Sequence, residues 1–187
     1  MIGALMEISK LITELNTFEH LIFDFDGVLA NLPVRWTPAK QEVAQNLDIP
    51  TSFPIPSLTE LFDWAVTTQQ RDVYLKIMNR YENESLVQTE LSPLGVWLRD
   101  SQRPFFLVSN NTADTLTNFL RQHQLTPQLR SSKSAQDMAA LKPDPSVMQD
   151  LLQQQKLEPE QTVFVGDSFS DLLVAKKTKI HYIYYHA

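Results

Sequence analysis

Leu21-Ile22-Phe23-Asp24-Phe25-Asp26-Gly27-Val28 is the stretch on which the fold of this chain turns. Leu21–Phe25 reads as a short buried strand, rich in branched and aromatic side chains. Residues two apart in a strand face the same side, so Asp24 and Asp26 share one pocket if the extended backbone persists to Asp26. Taken alone, the pair reads more readily as strand-end residues in a turn before Gly27.

Working outward, three more apolar runs read as strands: Pro104–Val108, Thr162–Val165 and Ile180–Tyr185. The first three strands end in polar clusters, at Asp24–Asn31, Ser109–Thr112 and Gly166–Asp171. Continuous apolar runs suit a parallel sheet covered on both faces. Leu5, Leu11, Ile12 and Leu15 recur at helical spacing before the first strand. Thr112–Gln122 buries Leu116, Phe119 and Leu120. Asp144-Pro145 reads as a cap and first-turn proline for a helix to about Lys156, and Ser168 as the cap of one reaching Lys176. Strand and helix in alternation predict an α/β fold with right-handed crossovers.

Residues 32–92 break this rhythm. They hold no strand run, and Pro38–Leu47, Ser57–Val66 and Gln69–Glu84 look helical. A simple crossover needs far fewer residues, so the stretch reads as a helical insert after the first strand.

The 187 residues carry a formal charge of −6, with 43% hydrophobic and 20% charged side chains. That suits one domain, or a core with a small insert. The absence of cysteine excludes disulfides, thiolate zinc sites and cysteine nucleophiles. The acidic balance argues against nucleic acid as a partner. No apolar run reaches a membrane span, and Glu7, Lys10 and Glu14 interrupt any signal-peptide pattern. A soluble, cytoplasmic protein is expected, as a monomer or small homo-oligomer.

The other polar clusters are ambiguous singly. Asp167 is placed to ligate a hard cation, with Asp171 one helical turn later, but acids also favour any helix start. Ser109-Asn110-Asn111-Thr112 reads as a helix cap, or as a hydroxyl and amides for phosphate oxygens. Lys142 alone reads as a surface lysine. Their order is more informative: DxDG, SNN, KPDP and GDSFSD, each at a strand end or helix start.

This set resembles the four signature motifs of the haloacid dehalogenase (HAD) superfamily, in the layout of its phosphoglycolate phosphatase-like branch. The resemblance implies a Rossmann-like core at 1–31 and 93–187, with a mainly parallel sheet flanked by helices. It implies a small helical C1-type cap at 32–92. Asp24 would be the nucleophile that forms an aspartyl-phosphate, and Asp26 the acid and then the base. Ser109, the Asn110 amide and Gly27 would surround the phosphoryl oxygens, and Lys142 would orient Asp24. Asp24, the Asp26 carbonyl, Asp167 and, in support, Asp171 would hold Mg²⁺.

The chemistry agrees with these residue types. Three ionised carboxylates facing one lysine repel each other and a phosphate dianion unless a divalent cation joins them. A covalent intermediate splits hydrolysis into two steps served by one acid–base residue. An alkoxide leaving group needs a proton where a halide does not, so Asp26 points to phosphoryl transfer. The sequence departs from the family pattern at Asn31 and at Lys177-Thr178-Lys179. The implied partner is a small phosphorylated substrate, because the cap holds five basic and eight acidic residues and is no dock for polyanions. Arg35 and Trp36 are the cap residues expected to touch it, with Trp64 and Tyr74 expected in the cap core. Two alternatives stand beside a phosphatase: a phosphomutase of the β-phosphoglucomutase type, and a non-catalytic binding protein. A phosphonate hydrolase would need a cap lysine, for which Lys40 and Lys76 are formal candidates.

Overall fold

The computed structural model describes residues 2–49 and 55–187, with side chains from Ile8 onward. Its elements run α1 (Ile2–Leu15), β1 (His20–Phe23), α2 (Trp36–Asn46), α3 (Leu58–Thr67), α4 (Arg71–Leu86), α5 (Pro93–Ser101) and β2 (Phe105–Val108). They continue with α6 (Ala113–Gln122), β3 (Leu129–Lys133), α7 (Ser146–Gln155), β4 (Thr162–Gly166), α8 (Phe169–Thr178) and β5 (His181–Tyr184). The five strands form one parallel sheet in the order β3-β2-β1-β4-β5.

Strand alternation sorts the core into two layers. Leu21, Phe23, Phe105, Leu107, Val163 and Val165 face Leu15 of α1, Leu94 and Leu98 of α5, and Phe119 of α6. Ile22, Phe106, Val108 and Phe164 face Val147 and Leu151 of α7, Val174 of α8, and the buried sides of α2–α4. Each buried Phe or Leu contributes about 1.5–3 kcal/mol, so neither face of the sheet tolerates a register slip.

β3, with sequence Leu-Arg-Ser-Ser-Lys, departs from the four-strand expectation. It lies at the sheet edge and stays half-exposed, so it has no apolar run to betray it. β1 also stops earlier than expected, at Phe23. The backbone bends at Phe25 and turns through Gly27–Leu29, and the Asp26–Ala30 bridge closes the loop.

Between β1 and α5 the described residues form the helices α2, α3 and α4. Ser57 and Glu60 cap α3 reciprocally. α4 packs along α6 through polar pairs: Asn79 Nδ2 donates to Asp114 Oδ2 at 3.0 Å, and Asn83 Nδ2 to Thr115 Oγ1 at 3.1 Å. Arg71 Nη2 donates to the carbonyls of Ala135, Gln136 and Met138 at 2.6–2.7 Å. Among the described residues no helix is long and apolar enough to cross a membrane. The side chain of Leu5, expected on the buried face of α1, lies outside the described residues.

Candidate active site

β1 is the central strand, and its neighbours β2 and β4 leave a crevice at their carboxyl ends, where open parallel sheets bind ligands. Asp24 follows β1, Ser109 follows β2 and Asp167 follows β4, so three separate polar clusters meet at one place. They line a cavity of about 380 Å³ together with Asp26, Gly27, Asn110 and Lys142.

Asp24 prolongs β1, its N–H donating to the Val165 carbonyl at 2.9 Å. Its Oδ1 accepts from Phe25 N at 2.7 Å and lies 2.9 Å from Lys142 Nζ. Lys142 Nζ also lies 2.6 Å from Asp171 Oδ1 and donates to the Val108 carbonyl at 3.2 Å. The surface-lysine alternative is therefore wrong: Lys142 is buried between two carboxylates. Asn110 fixes its backbone, accepting from Lys142 N at 2.9 Å and donating to Lys142 O at 3.3 Å. Burial raises the Asp24 carboxyl most, Lys142 opposes it and the Asp171 charge adds to it, leaving Asp24 at about 7. Burial alone would depress the Lys142 ammonium, but Asp24 and Asp171 outweigh that and hold it above its ordinary value.

Asp26 reaches the same cavity from the loop rather than along a strand. Its Oδ1 accepts from Leu32 N at 2.8 Å. Burial pushes its carboxyl up to about 6, opposed by the Leu32 N–H and helped by the Asp167 charge. A carboxyl near 6 is suited to give and take protons near neutrality. Gly27 sits at φ +80°, and a Cβ there would lie 2.1 Å from Asp167 Oδ2, so any other residue would be strained and would displace the Asp167 carboxylate.

Ser168 and Asp171 form a capping box at the start of α8, with Asp171 Oδ2 accepting from Ser168 N at 3.1 Å. Asp171 is 0% exposed and stands behind Lys142, away from the cavity wall. Even so, Asp24, Asp167 and Asp171 each bring one carboxylate oxygen to within 4.8 Å of the others. Ser109 is buried, its Oγ donating to Asn111 Oδ1 at 2.8 Å and accepting from Asn111 N at 3.3 Å.

Two expectations for the insert fail. Arg35 does not line the cavity: its side chain is 69% exposed, pairs with Glu84 at 3.5 Å and lies over the Tyr81 ring. Trp64 is 44% exposed rather than in the core, because α3 turns Leu61, Phe62 and Ala65 inward. Trp36 does line the cavity, and Tyr74 is both core and lining. Lys76 is exposed and Lys40 half-buried; neither lines the cavity.

Glu82 and His186 also line the cavity, and neither was anticipated. His186 Nδ1 lies 3.2 Å from Asp167 Oδ2. Asn31, the departure from the family pattern, donates from Nδ2 to the Ala187 carbonyl at 2.8 Å, which holds this segment over the Gly27 turn. Glu82 is buried in α4, and its Oε2 accepts from Thr112 N at 2.9 Å and Thr112 Oγ1 at 2.7 Å. The signal for Glu82 was spacing: Tyr74, Met78 and Glu82 are each four apart and share one face of α4.

Burial raises Glu82 to about 7, against the hydrogen bonds from Thr112. Its folded value lies above its unfolded one, so the native state holds the extra proton between roughly pH 4.5 and 7. Glu82 therefore adds less to stability as pH rises through that window. Glu82→Gln is expected to flatten the fall of the unfolding midpoint across that window, a difference of at most about 3 kcal/mol. Parallel midpoint curves for the two proteins would count against a raised Glu82.

The arrangement defines a class of protein. The chain belongs to the haloacid dehalogenase-like hydrolases, whose family model matches residues 21–185. Among solved structures it resembles a Lactobacillus plantarum protein provisionally assigned as a phosphoglycolate phosphatase, at 24% identity and TM-score 0.63, over 89% of this chain and 85% of that one. It also resembles a predicted phosphoglycolate phosphatase from Haemophilus somnus, at 18% identity and TM-score 0.65, over 91% and 87% of the two chains. A third likeness is CbbY from Rhodobacter sphaeroides in complex with phosphate, at 15% identity and TM-score 0.60, over 91% and 87%. These likenesses establish the shared fold. No curated protein matches the chain significantly.

Proposed function

We propose that this chain is a Mg²⁺-dependent phosphomonoesterase acting on a small phosphorylated metabolite through an aspartyl-phosphate on Asp24. The observation that carries the reading is a single cluster: Lys142 within 2.9 Å of Asp24 and 2.6 Å of Asp171, with Asp26 beside them on the cavity wall.

In the first step an Asp24 oxygen attacks phosphorus and the bond to the leaving oxygen breaks. Asp26 gives that oxygen its proton. In the second step Asp26 takes a proton from water, the water oxygen attacks phosphorus, and the bond to Asp24 breaks. Phosphate leaves and both carboxyls return to their starting forms. Lys142 fixes the Asp24 rotamer and lessens its charge against the incoming dianion. The Asn110 backbone amide and the Ser109 hydroxyl, on two residues that line the cavity, would hold the phosphoryl oxygens. Residues 32–92 would serve as the cap: Tyr74, Met78 and Glu82 of α4 line the same cavity as Asp24 and would help to exclude water.

The donor set fits a hard divalent cation. All three converging groups are carboxylates, and Lys142 neutralises only one of their charges. Asp24 and Asp167 would hold Mg²⁺ with the Asp26 carbonyl, and Asp171 would support it. When bound, Mg²⁺ supplies charge that brings nucleophile and phosphate dianion together.

Chelation with EDTA is expected to lower phosphate release from 4-nitrophenyl phosphate by at least about 100-fold, with full recovery on adding Mg²⁺. A rate indifferent to EDTA would overturn the metal assignment.

A further inference from the structure

The reading above leaves the part of the cavity beyond the phosphoryl site unexplained. Its wall is built by the insert: Trp36 from α2, Leu58 from α3, and Tyr74, Met78 and Glu82 from α4. Three of these are apolar and none is cationic. The basic residues of the insert are all turned elsewhere. Arg35 pairs with Glu84, Arg80 with Glu42, Arg71 grips three carbonyls, and Lys40 and Lys76 do not reach the cavity. Residues 50–54, Pro-Thr-Ser-Phe-Pro, carry no charged side chain.

Tyr74 supplies the second observation. The residue is 2% exposed and its hydroxyl makes no hydrogen bond among the described residues, yet it is not one of the buried polar atoms left without a partner, so what exposure remains reaches the hydroxyl. A buried phenol normally finds a partner. Here the open side of Tyr74 is the cavity itself.

We propose that the leaving group of the substrate is an uncharged alcohol, with an apolar face against Trp36, Leu58 and Met78 and a hydrogen-bonding group that meets Tyr74 Oη. A carboxylate or second phosphate in that place would be desolvated without a cation and would face Glu82. Phosphocarboxylates such as phosphoglycolate are therefore poor substrates for this chain. The proposal rests on the phosphatase reading, and the test separates the two.

The probes are benzyl phosphate, 4-(hydroxymethyl)benzyl phosphate and 4-carboxybenzyl phosphate, given to the full chain with Mg²⁺. The expected kcat/KM for the carboxyl compound is at least about 30-fold below that for the hydroxymethyl compound. In Tyr74→Phe the ratio of hydroxymethyl to benzyl kcat/KM is expected to fall about tenfold, the effect of one lost hydrogen bond to a buried partner. In Met78→Lys the ratio of carboxyl to benzyl is expected to rise about tenfold or more. Equal or better turnover of the carboxyl compound by the parent chain overturns the proposal. So does an unchanged ratio in Tyr74→Phe, which would make Tyr74 merely structural. Phosphate release from none of the three, nor from 4-nitrophenyl phosphate, overturns the phosphatase reading and this proposal with it.

Discussion

Asp24→Asn is expected to release phosphate from 4-nitrophenyl phosphate at least about 10⁴-fold more slowly than the parent chain. The substitution keeps the shape of the side chain, so the Val165 ladder bond and the Phe25 N–H contact survive. Only the charge and the nucleophilic oxygen pair go. Stability is expected to move the other way. Asp24 is raised from 3.8 to about 7, so the folded state holds its proton longer than the unfolded chain does. Between those values the contribution of Asp24 to stability falls as pH rises, and above 7 the full cost of an ionised buried carboxyl is present. Near pH 8 and without Mg²⁺, Asp24→Asn should therefore melt a few degrees higher than the parent. A site that loses activity while the fold gains stability is holding strain for function. Parent-like turnover in this variant would remove Asp24 as the nucleophile, whatever the melting curves show.

Lys142→Met is the second large effect. The ammonium contacts both Asp24 and Asp171, and all three groups are buried. Removing it leaves two carboxylates facing each other without compensation, which costs about 3–5 kcal/mol. The urea midpoint near pH 8 should fall by roughly 1.5–2 M for a chain of this size. Phosphate release should fall by at least about 10³-fold, because Asp24 is no longer held and the dianion meets more negative charge. Adding Asp24→Asn to Lys142→Met should recover part of the lost stability, since the two residues form one electrostatic unit. A urea midpoint unmoved by Lys142→Met would mean that the cluster is solvated, and the nucleophile would lose its anchor.

Much of this was legible in one dimension. The apolar runs at 21–25, 104–108 and 162–165 marked three buried strands because a strand covered on both faces must be apolar throughout. The polar clusters after them marked the carboxyl end of the sheet. The helices of the insert were legible from period and from caps such as Ser57 with Glu60. The edge strand β3 was not, since half-exposure lets Ser and Lys sit where Val and Phe would otherwise be required.

The sequence by itself determined the α/β class, the four polar motifs and their order, because these are local matters of period, cap and residue type. Tertiary structure alone decided which of the ambiguous residues meet. Lys142 lies far along the chain from Asp24, and the β1–β2 pairing together with the Asn110 clamp brings it to 2.9 Å. Folding also sent Arg35 outward to Glu84 and turned Tyr74, Met78 and Glu82 inward, because one face of α4 must cover the sheet crevice while the other meets water. The charge of the substrate wall follows from that choice of face, which no count of acids and bases along the chain records.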